Sequence, residues 1–342
     1  MKPNHFVLIA GAAVLASAAA LMASASNNRW TEVAASGAKL MPQLAARSGD
    51  VAAIALSQGE KSLTLERKET RWGIKERGGY PVEPEKLRAL LTRLADAELL
   101  EAKTRRRDRY ALLELEDPAA KDAKSRGLRL LDGKGTLIDE VVLGKRRFDA
   151  FGSGKSGTYA RRPADAEAWL TNAEIEVPLD VKSWIKPGVF EIDSAAIKRM
   201  ILSIAGEPEL KLERGEGDGA KPAFADAPKD KKLKDANAAD AMLRAVAAFE
   251  ADDVRKLDTT PAGDGVSTVA IAMKDGAEIT LRLRKDGDGS WISAQASGAD
   301  KAKAAADAIN AKTTGWEFKI PGFKADAILK KRGDLYEAGS AG

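Results

Sequence analysis

Phe151-Gly-Ser-Gly-Lys-Ser156 has the residue types of a loop that wraps a phosphate. Glycines let backbone N–H groups close on the anion, and the lysine adds charge. The full pattern also needs a glycine five positions before Gly154, a strand before it and a helix after it. Asp149 stands at that position, and strand-forming sequence flanks the stretch on both sides. The expectation is a hairpin loop and no nucleotide. Asp286-Gly-Asp288-Gly-Ser290 opens like a calcium loop. The distal bidentate glutamate that such a loop requires is absent, since Ser297 and Gly298 occupy that region. A Gly-rich hairpin turn is expected there.

Other chemistries are narrowed by composition. The only histidine is His5, and there is no cysteine. No serine has a visible base partner, and a Ser–Lys dyad has no motif. Any metal site in the body would be built from carboxylates and carbonyls, which suit hard ions only. Asp and Glu number 51, but a carboxylate-dependent hydrolase needs two that converge in space. No catalytic, cofactor-binding or metal-binding residue is assigned. Trp72, Trp169, Trp184, Trp291 and Trp316 are dispersed in apolar or alternating contexts, so they read as packing anchors rather than a sugar platform.

The densest basic run is Lys103-Thr-Arg105-Arg106-Arg107-Asp-Arg109. Lys103, Arg105, Arg106, Arg107 and Arg109 are the candidate contacts to anionic lipid head groups or to an acidic partner. Glu114, Glu116 and Asp117 follow, which also suits a solvated, self-paired loop. Lys330-Lys331-Arg332 reads the same way. Lys and Arg total 55 against 51 acids, and a net charge of +4 does not argue for nucleic acid.

The elements that position these residues begin with a targeting segment. Phe6–Ala23 is an uncharged run of 18 residues behind a short head carrying Lys2. That length is near the roughly 20 residues needed to span a bilayer. The expected outcome is a single-pass anchor in a bacterial inner membrane with the body in the periplasm. The alternative is secretion to the periplasm after cleavage near Ala25, in Ala23-Ser24-Ala25. No Cys follows the run, so a lipid-modified lipoprotein is excluded. With no disulfides, stability must come from a packed core.

The body reads as the same series twice. Gly59-Glu60-x-x-Leu63-x-Leu65-Glu66-Arg67 recurs as Gly206-Glu207-x-x-Leu210-x-Leu212-Glu213-Arg214, an offset of 147 residues. Val51–Ser57, Lys61–Arg67 and Arg71–Lys75 read as strands. Pro81-Val82-Glu83-Pro84 then starts a helix, with Leu87, Leu90, Leu91 and Leu94 on one stripe. Its counterpart is expected near Asp235–Glu250. Asp132-Gly133 and Asp275-Gly276 carry the turn chemistry for hairpins over Leu128–Leu143 and Val269–Arg284. Strands with one aromatic follow at Thr158-Tyr159-Ala160 and Ser290-Trp291-Ile292. Short Ala-rich helices are expected at Asp165–Leu170 and Asp300–Ala311, and closing strands at Glu174–Pro178 and Glu317–Pro321. The expected fold is α+β: two tandem duplicated units of mainly antiparallel sheet with helices packed on one face. The divisions are an anchor or signal segment at 1–28, units at 29–185 and 186–321, and a tail at 322–342. Gly215–Lys234 reads as a polar insertion holding one short strand.

Several of these residues resemble one bacterial envelope family, the domain of unknown function 4340. They are the apolar N-terminal segment, the strand–strand–Trp-strand–helix opening and Tyr110-x-x-Leu113-x-Leu115-x-Asp117-Pro118. The hairpin at Leu128-Arg-Leu-Leu-Asp-Gly-Lys-Gly135, Val142-Leu143-Gly144-Lys145, Thr158-Tyr159 and Trp169-Leu170 complete the pattern. Glu114-Leu115-Glu116 stands where the family pattern has a glycine–leucine turn. The resemblance covers about residues 50–260. It implies a single-span protein with an accessory role beside ABC-transporter components of the gliding-motility type, and it carries over no catalytic residue. The expected function is a non-catalytic, membrane-tethered accessory or scaffold with protein partners and no cofactor. The alternatives are a soluble periplasmic module that binds a ligand or polymer, and a carboxylate-dependent hydrolase.

Overall fold

Alternating apolar residues closed by Asp-Gly turns give long hairpins, and the chain is mostly antiparallel sheet with a few helices. The computed structural model describes residues Gly37–Glu337 except Asp218, Lys229, Asp230 and Asp264. The expected anchor at 1–28 and the last five residues of the tail lie outside the described residues. Among the described residues, no helix is long and apolar enough to cross a membrane.

In chain order the first elements are β1 (Ala38–Lys39), α1 (Pro42–Arg47), β2 (Val51–Gln58), β3 (Lys61–Lys68), β4 (Arg71–Ile74), β5 (Tyr80–Pro81) and α2 (Pro84–Asp96). Next come β6 (Glu98–Thr104), β7 (Arg126–Asp132), β8 (Leu137–Arg147), β9 (Gly157–Arg161) and β10 (Ala168–Thr171). Then follow β11 (Gly188–Glu191), β12 (Ile197–Ser203), β13 (Leu210–Arg214), β14 (Pro222–Phe224), α3 (Ala238–Ala247), β15 (Ala248–Glu250) and β16 (Asp253–Lys256). The last are β17 (Val266–Met273), β18 (Glu278–Asp286), β19 (Gly289–Ser297), α4 (Lys303–Thr313), β20 (Trp316–Ile320), α5 (Gly322–Ile328) and α6 (Arg332–Leu335).

These elements form two compact units. Among the described residues, one comprises Gly37–Ser62 together with Arg88–Leu179, and the other comprises Leu63–Leu87 and Asp180–Glu337. In the first unit the strands lie in the order β1-β6-β10-β9-β8-β7-β2. In the second, the main sheet runs β14-β13-β12-β17-β18-β19-β20-β16, β11 pairs with β15, and β3-β4-β5 are paired in sequence.

Asp165–Leu170 is not a helix. Ala168–Thr171 is strand β10, paired with both β6 and β9. Ala168, Leu170 and Thr171 are fully buried there, and the Thr171 hydroxyl donates to the Thr158 carbonyl at 3.0 Å. A position between two strands overrides the helical preference of an Ala-rich segment. Glu174–Pro178 is not a strand either. The Ile175 N–H is taken by the Thr158 hydroxyl at 2.9 Å, so a side chain replaces a ladder partner. The expected helix at Asp235–Glu250 ends at Ala247, where the chain turns into β15 to pair with β11.

Aromatic packing organises the second unit's core. Phe318 is fully buried; Tyr80 meets Trp316 edge-on at 4.9 Å and Phe318 at 5.7 Å, and Phe190 stacks on Phe249 at 5.1 Å. Burial pushes the Tyr80 hydroxyl up to about 12. Trp184 and Trp291 are buried, whereas Trp72, Trp169 and Trp316 are half-buried. Asn310 clasps α4 to β19: its amide donates to the Ala296 carbonyl and accepts from the Ala296 N–H, at 2.8 and 2.9 Å. The same core encloses Glu317 on β20, with no exposed side-chain surface, between the guanidinium groups of Arg255 and Arg284.

Candidate functional site

The connection from β6 to β7 lies across one face of the first unit's sheet. It begins with a 3-10 turn at Arg107–Leu113. Two strand glycines let it approach. A Cβ on Gly144 would stand 2.2 Å from the Leu113 carbonyl oxygen, and one on Gly127 would stand 2.6 Å from the Ser57 hydroxyl and 3.3 Å from Pro118. Three side-chain contacts hold it. Tyr110 donates from its hydroxyl to the Ala166 carbonyl at 2.5 Å, Arg161 Nε donates to the Leu115 carbonyl at 2.9 Å, and the Arg161 guanidinium lies 5.0 Å from the Tyr110 ring centroid. Tyr110, Leu115, Val142 and Ala168 form the small apolar cluster beneath.

Glu114 takes φ +56° at the end of the 3-10 turn. That left-handed conformation costs an L-residue about 1–2 kcal/mol, and glycine adopts it freely. The glycine expected at this turn thus has a conformational reason, and this chain meets the geometry with a glutamate. Glu114→Gly is expected to raise stability by up to about 1 kcal/mol, part of the relief being offset by glycine's freedom when unfolded. A lower urea midpoint for the variant would contradict this.

Between this connection and the sheet lies a cleft of about 720 Å³. Arg107, Arg129 and Arg161 line it, as do Glu116, Asp117, Glu140 and Asp165. Arg129 and Glu140 face each other across β7 and β8 with 3.8 Å between charged atoms. Arg107 makes no ion pair among the described residues. Arg161 makes none either, and its other two guanidinium nitrogens have no hydrogen bond among the described residues. Burial lowers the Arg161 pKa against the attraction of Tyr110 and Asp117, and the like charge of Arg107 lowers it further. Burial pushes the Glu116 carboxyl up, but N–H donors from its own backbone, Lys124 and Ser125 outweigh it and leave the group below the usual range. Glu116 Oε2 is buried with no hydrogen-bond partner. The cleft is therefore a recess of mixed charge, in which Arg107 and Arg161 form no ion pair among the described residues.

The five residues of the basic run are dispersed. Only Arg107 reaches the cleft. Lys103 pairs with Glu101, Arg105 with Glu167 at 3.5 Å, and Arg106 with Asp108 at 2.7 Å. Arg109 is exposed, and its charge helps lower the Asp108 pKa. The acids that neutralise the run are thus Glu101, Asp108 and Glu167, not Glu114, Glu116 and Asp117. Near the C-terminus, Lys331 pairs with Glu207 at 2.8 Å and Arg332 with Asp226 at 3.5 Å. Arg129 and Arg161 were missed in sequence because each is a single charge inside a strand; only the position of Arg161 after Thr158-Tyr159-Ala160 hints at it.

The two loops with ligand-like sequences serve turns. Phe151–Ser156 connects β8 to β9, and the Gly154 N–H donates to Asp149 Oδ1 at 2.7 Å. At the β18–β19 turn, Asp286 opposes Gly289, while Asp286 bonds Arg255 and Asp288 pairs with Lys319. No group of three His, Cys, Asp or Glu among the described residues is arranged to hold a metal ion.

The first unit thus presents a charged surface cleft on a mainly antiparallel sheet. The family profile of a domain of unknown function, DUF4340, matches residues 72–267. The chain belongs to that family. No curated protein and no solved structure matches it.

Proposed function

We propose that this protein is a non-catalytic accessory or scaffold subunit of an envelope transport complex. Its apolar segment at Phe6–Ala23 tethers it to the bacterial inner membrane, and its body stands in the periplasm. The cleft of the first unit takes an acidic segment of a partner protein. The observation that carries this reading is the pair of guanidinium groups, Arg107 and Arg161, lining one cleft without an ion pair. Arg161 is half-buried and Arg107 exposed; an unpaired guanidinium gains from a carboxylate partner, and arginine's fork suits that geometry.

Purification from native membranes, with quantification of the co-purifying proteins, tests it. Arg107→Ser together with Arg129→Ser should leave thermal stability within about 0.5 kcal/mol, because both side chains lie at the surface. The same double change should reduce a specific partner's recovery at least tenfold. Unchanged recovery of every partner would overturn the reading. So would a measurable hydrolysis abolished by Glu116→Gln, since the cleft's four carboxylates would then be doing the work.

We also propose that the two halves of the body, residues 29–185 and 186–321, arose by duplication. The order β6-β10-β9-β8-β7-β2 matches β16-β20-β19-β18-β17-β12 strand for strand, and the motif offset of 147 residues links β3 to β13. This correspondence places β10 opposite β20. The first unit then lacks a counterpart of α4, and the prolines Pro178 and Pro321 are not equivalent.

A further inference from the structure

A second recess opens on the first unit, distinct from the cleft above. It encloses about 330 Å³ beside the end of β8. Lys124, Arg126, Lys145 and Arg146 line it against two acids, Glu114 and Glu176. Arg146 is spent on Glu174 and lies 4.0 Å from Glu176. Lys124 and Lys145 form no ion pair among the described residues, and Arg126 has only a 3.5 Å contact with Gln58 Oε1. Three cations therefore converge without a paired acid. Lys124 also lowers the neighbouring Glu116 pKa, so its charge is felt locally without being consumed in an ion pair.

The backbone is shaped for this. The register between β8 and β9 shifts by one residue between Leu143 and Arg146. Such a bulge redirects the side chains it carries, and here it carries Gly144 and Lys145. Val142-Leu143-Gly144-Lys145, singled out in the sequence, thus supplies part of the wall, the close-approach glycine and one cation.

The lip of the recess is apolar. Phe148 is 68% exposed, although Arg146 covers one face of its ring at 4.3 Å. Leu143, Ile175 and Val177 continue that surface inward. Cations in the recess with an aromatic ring projecting beside them match the layered chemistry of a bilayer surface, where phosphate lies next to the acyl boundary. A free phosphate ester would meet the cations but have no use for the exposed ring.

We propose that this recess binds the phosphate of an anionic lipid head group, with Phe148 entering the interfacial layer. The test uses the purified full-length chain in a non-ionic detergent. Amine-reactive labelling of Lys124 and Lys145 is read by mass spectrometry, with Lys312, exposed on α4 of the second unit, as an internal reference. Dihexanoyl-phosphatidylglycerol should protect both lysines at least threefold, and dihexanoyl-phosphatidylcholine should not. Arg126→Ser should weaken the apparent affinity about fivefold, as loss of one cation near an anionic surface does. Phe148→Ser should weaken it as well without changing the melting temperature. Equal protection by glycerol phosphate would assign the recess to a soluble phosphate ester and overturn the lipid source. No protection by either compound would overturn the site, whatever the fate of the partner cleft.

Discussion

Gly144→Ala should destabilise the first unit by about 3 kcal/mol or more, the upper range for overpacking. The added Cβ would stand 2.2 Å from the Leu113 carbonyl oxygen, 2.9 Å from that of Glu114 and 3.0 Å from Leu115 Cδ2. Two of these atoms are backbone and cannot rotate away. The connection they belong to is fixed by the Tyr110–Ala166 and Arg161–Leu115 hydrogen bonds, so relief requires lifting it off the sheet. Gly133→Ala is the control, because its Cβ would meet nothing nearer than Ala52 at 4.0 Å. Gly127→Ala should fall between them, since its nearest obstacle is the Ser57 hydroxyl, which can turn. Urea unfolding followed by tryptophan fluorescence ranks the three. If Gly144→Ala is as mild as Gly133→Ala, the proposed close approach is wrong.

Glu317→Gln should cost the second unit about 3 kcal/mol at neutral pH. Glu317 has no exposed side-chain surface. It accepts from Arg284 Nε and Nη2 at 2.7 and 2.8 Å, and from Arg255 Nε at 2.8 Å. Arg255 is held in turn 3.8 Å above the Trp291 ring centroid. Removing one member of a buried ion cluster leaves the others uncompensated, typically a loss of 3–5 kcal/mol; the low end applies because both arginines reach solvent. The pH dependence separates charge from shape. Burial pushes the Glu317 carboxyl up, but the hydrogen bonds and charges of Arg284 and Arg255 outweigh it and hold it below the usual range. A depressed carboxylate pKa contributes stability above its unfolded value, about 4.3, and that contribution fades as pH falls through the folded value. The gap between wild type and Glu317→Gln should therefore be widest near pH 7 and shrink toward pH 3. A gap of constant size would mean that the loss comes from packing and not from the ion cluster.

Much of the architecture is legible in the chain because it is locally encoded. Alternation marks β3, β7, β8, β17 and β18, and Asp-Gly turns close the hairpins. The leucine stripe of α2 buries Leu87, Leu90 and Leu94. These signals depend on neighbours within a few residues, where period and turn chemistry decide the outcome. The left-handed backbone at Glu114 was not legible, because nothing in a glutamate's neighbours announces a positive φ.

Tertiary structure decided the rest. The Ala-rich stretch before Thr171 has helical composition, yet pairing with β6 and β9 makes it a strand. The basic run of five cations looked like one surface, but acids from β6 and from the loop before β10 claim Lys103 and Arg105, leaving Arg107 in the cleft. Arg161 and Arg129, which share that cleft with it, lie far along the chain. Gly144 reads as an unremarkable strand residue until another segment's carbonyl is seen resting where its side chain would be. In each case the deciding partner is distant in sequence, and a single sequence records which residues can pair but not which ones converge.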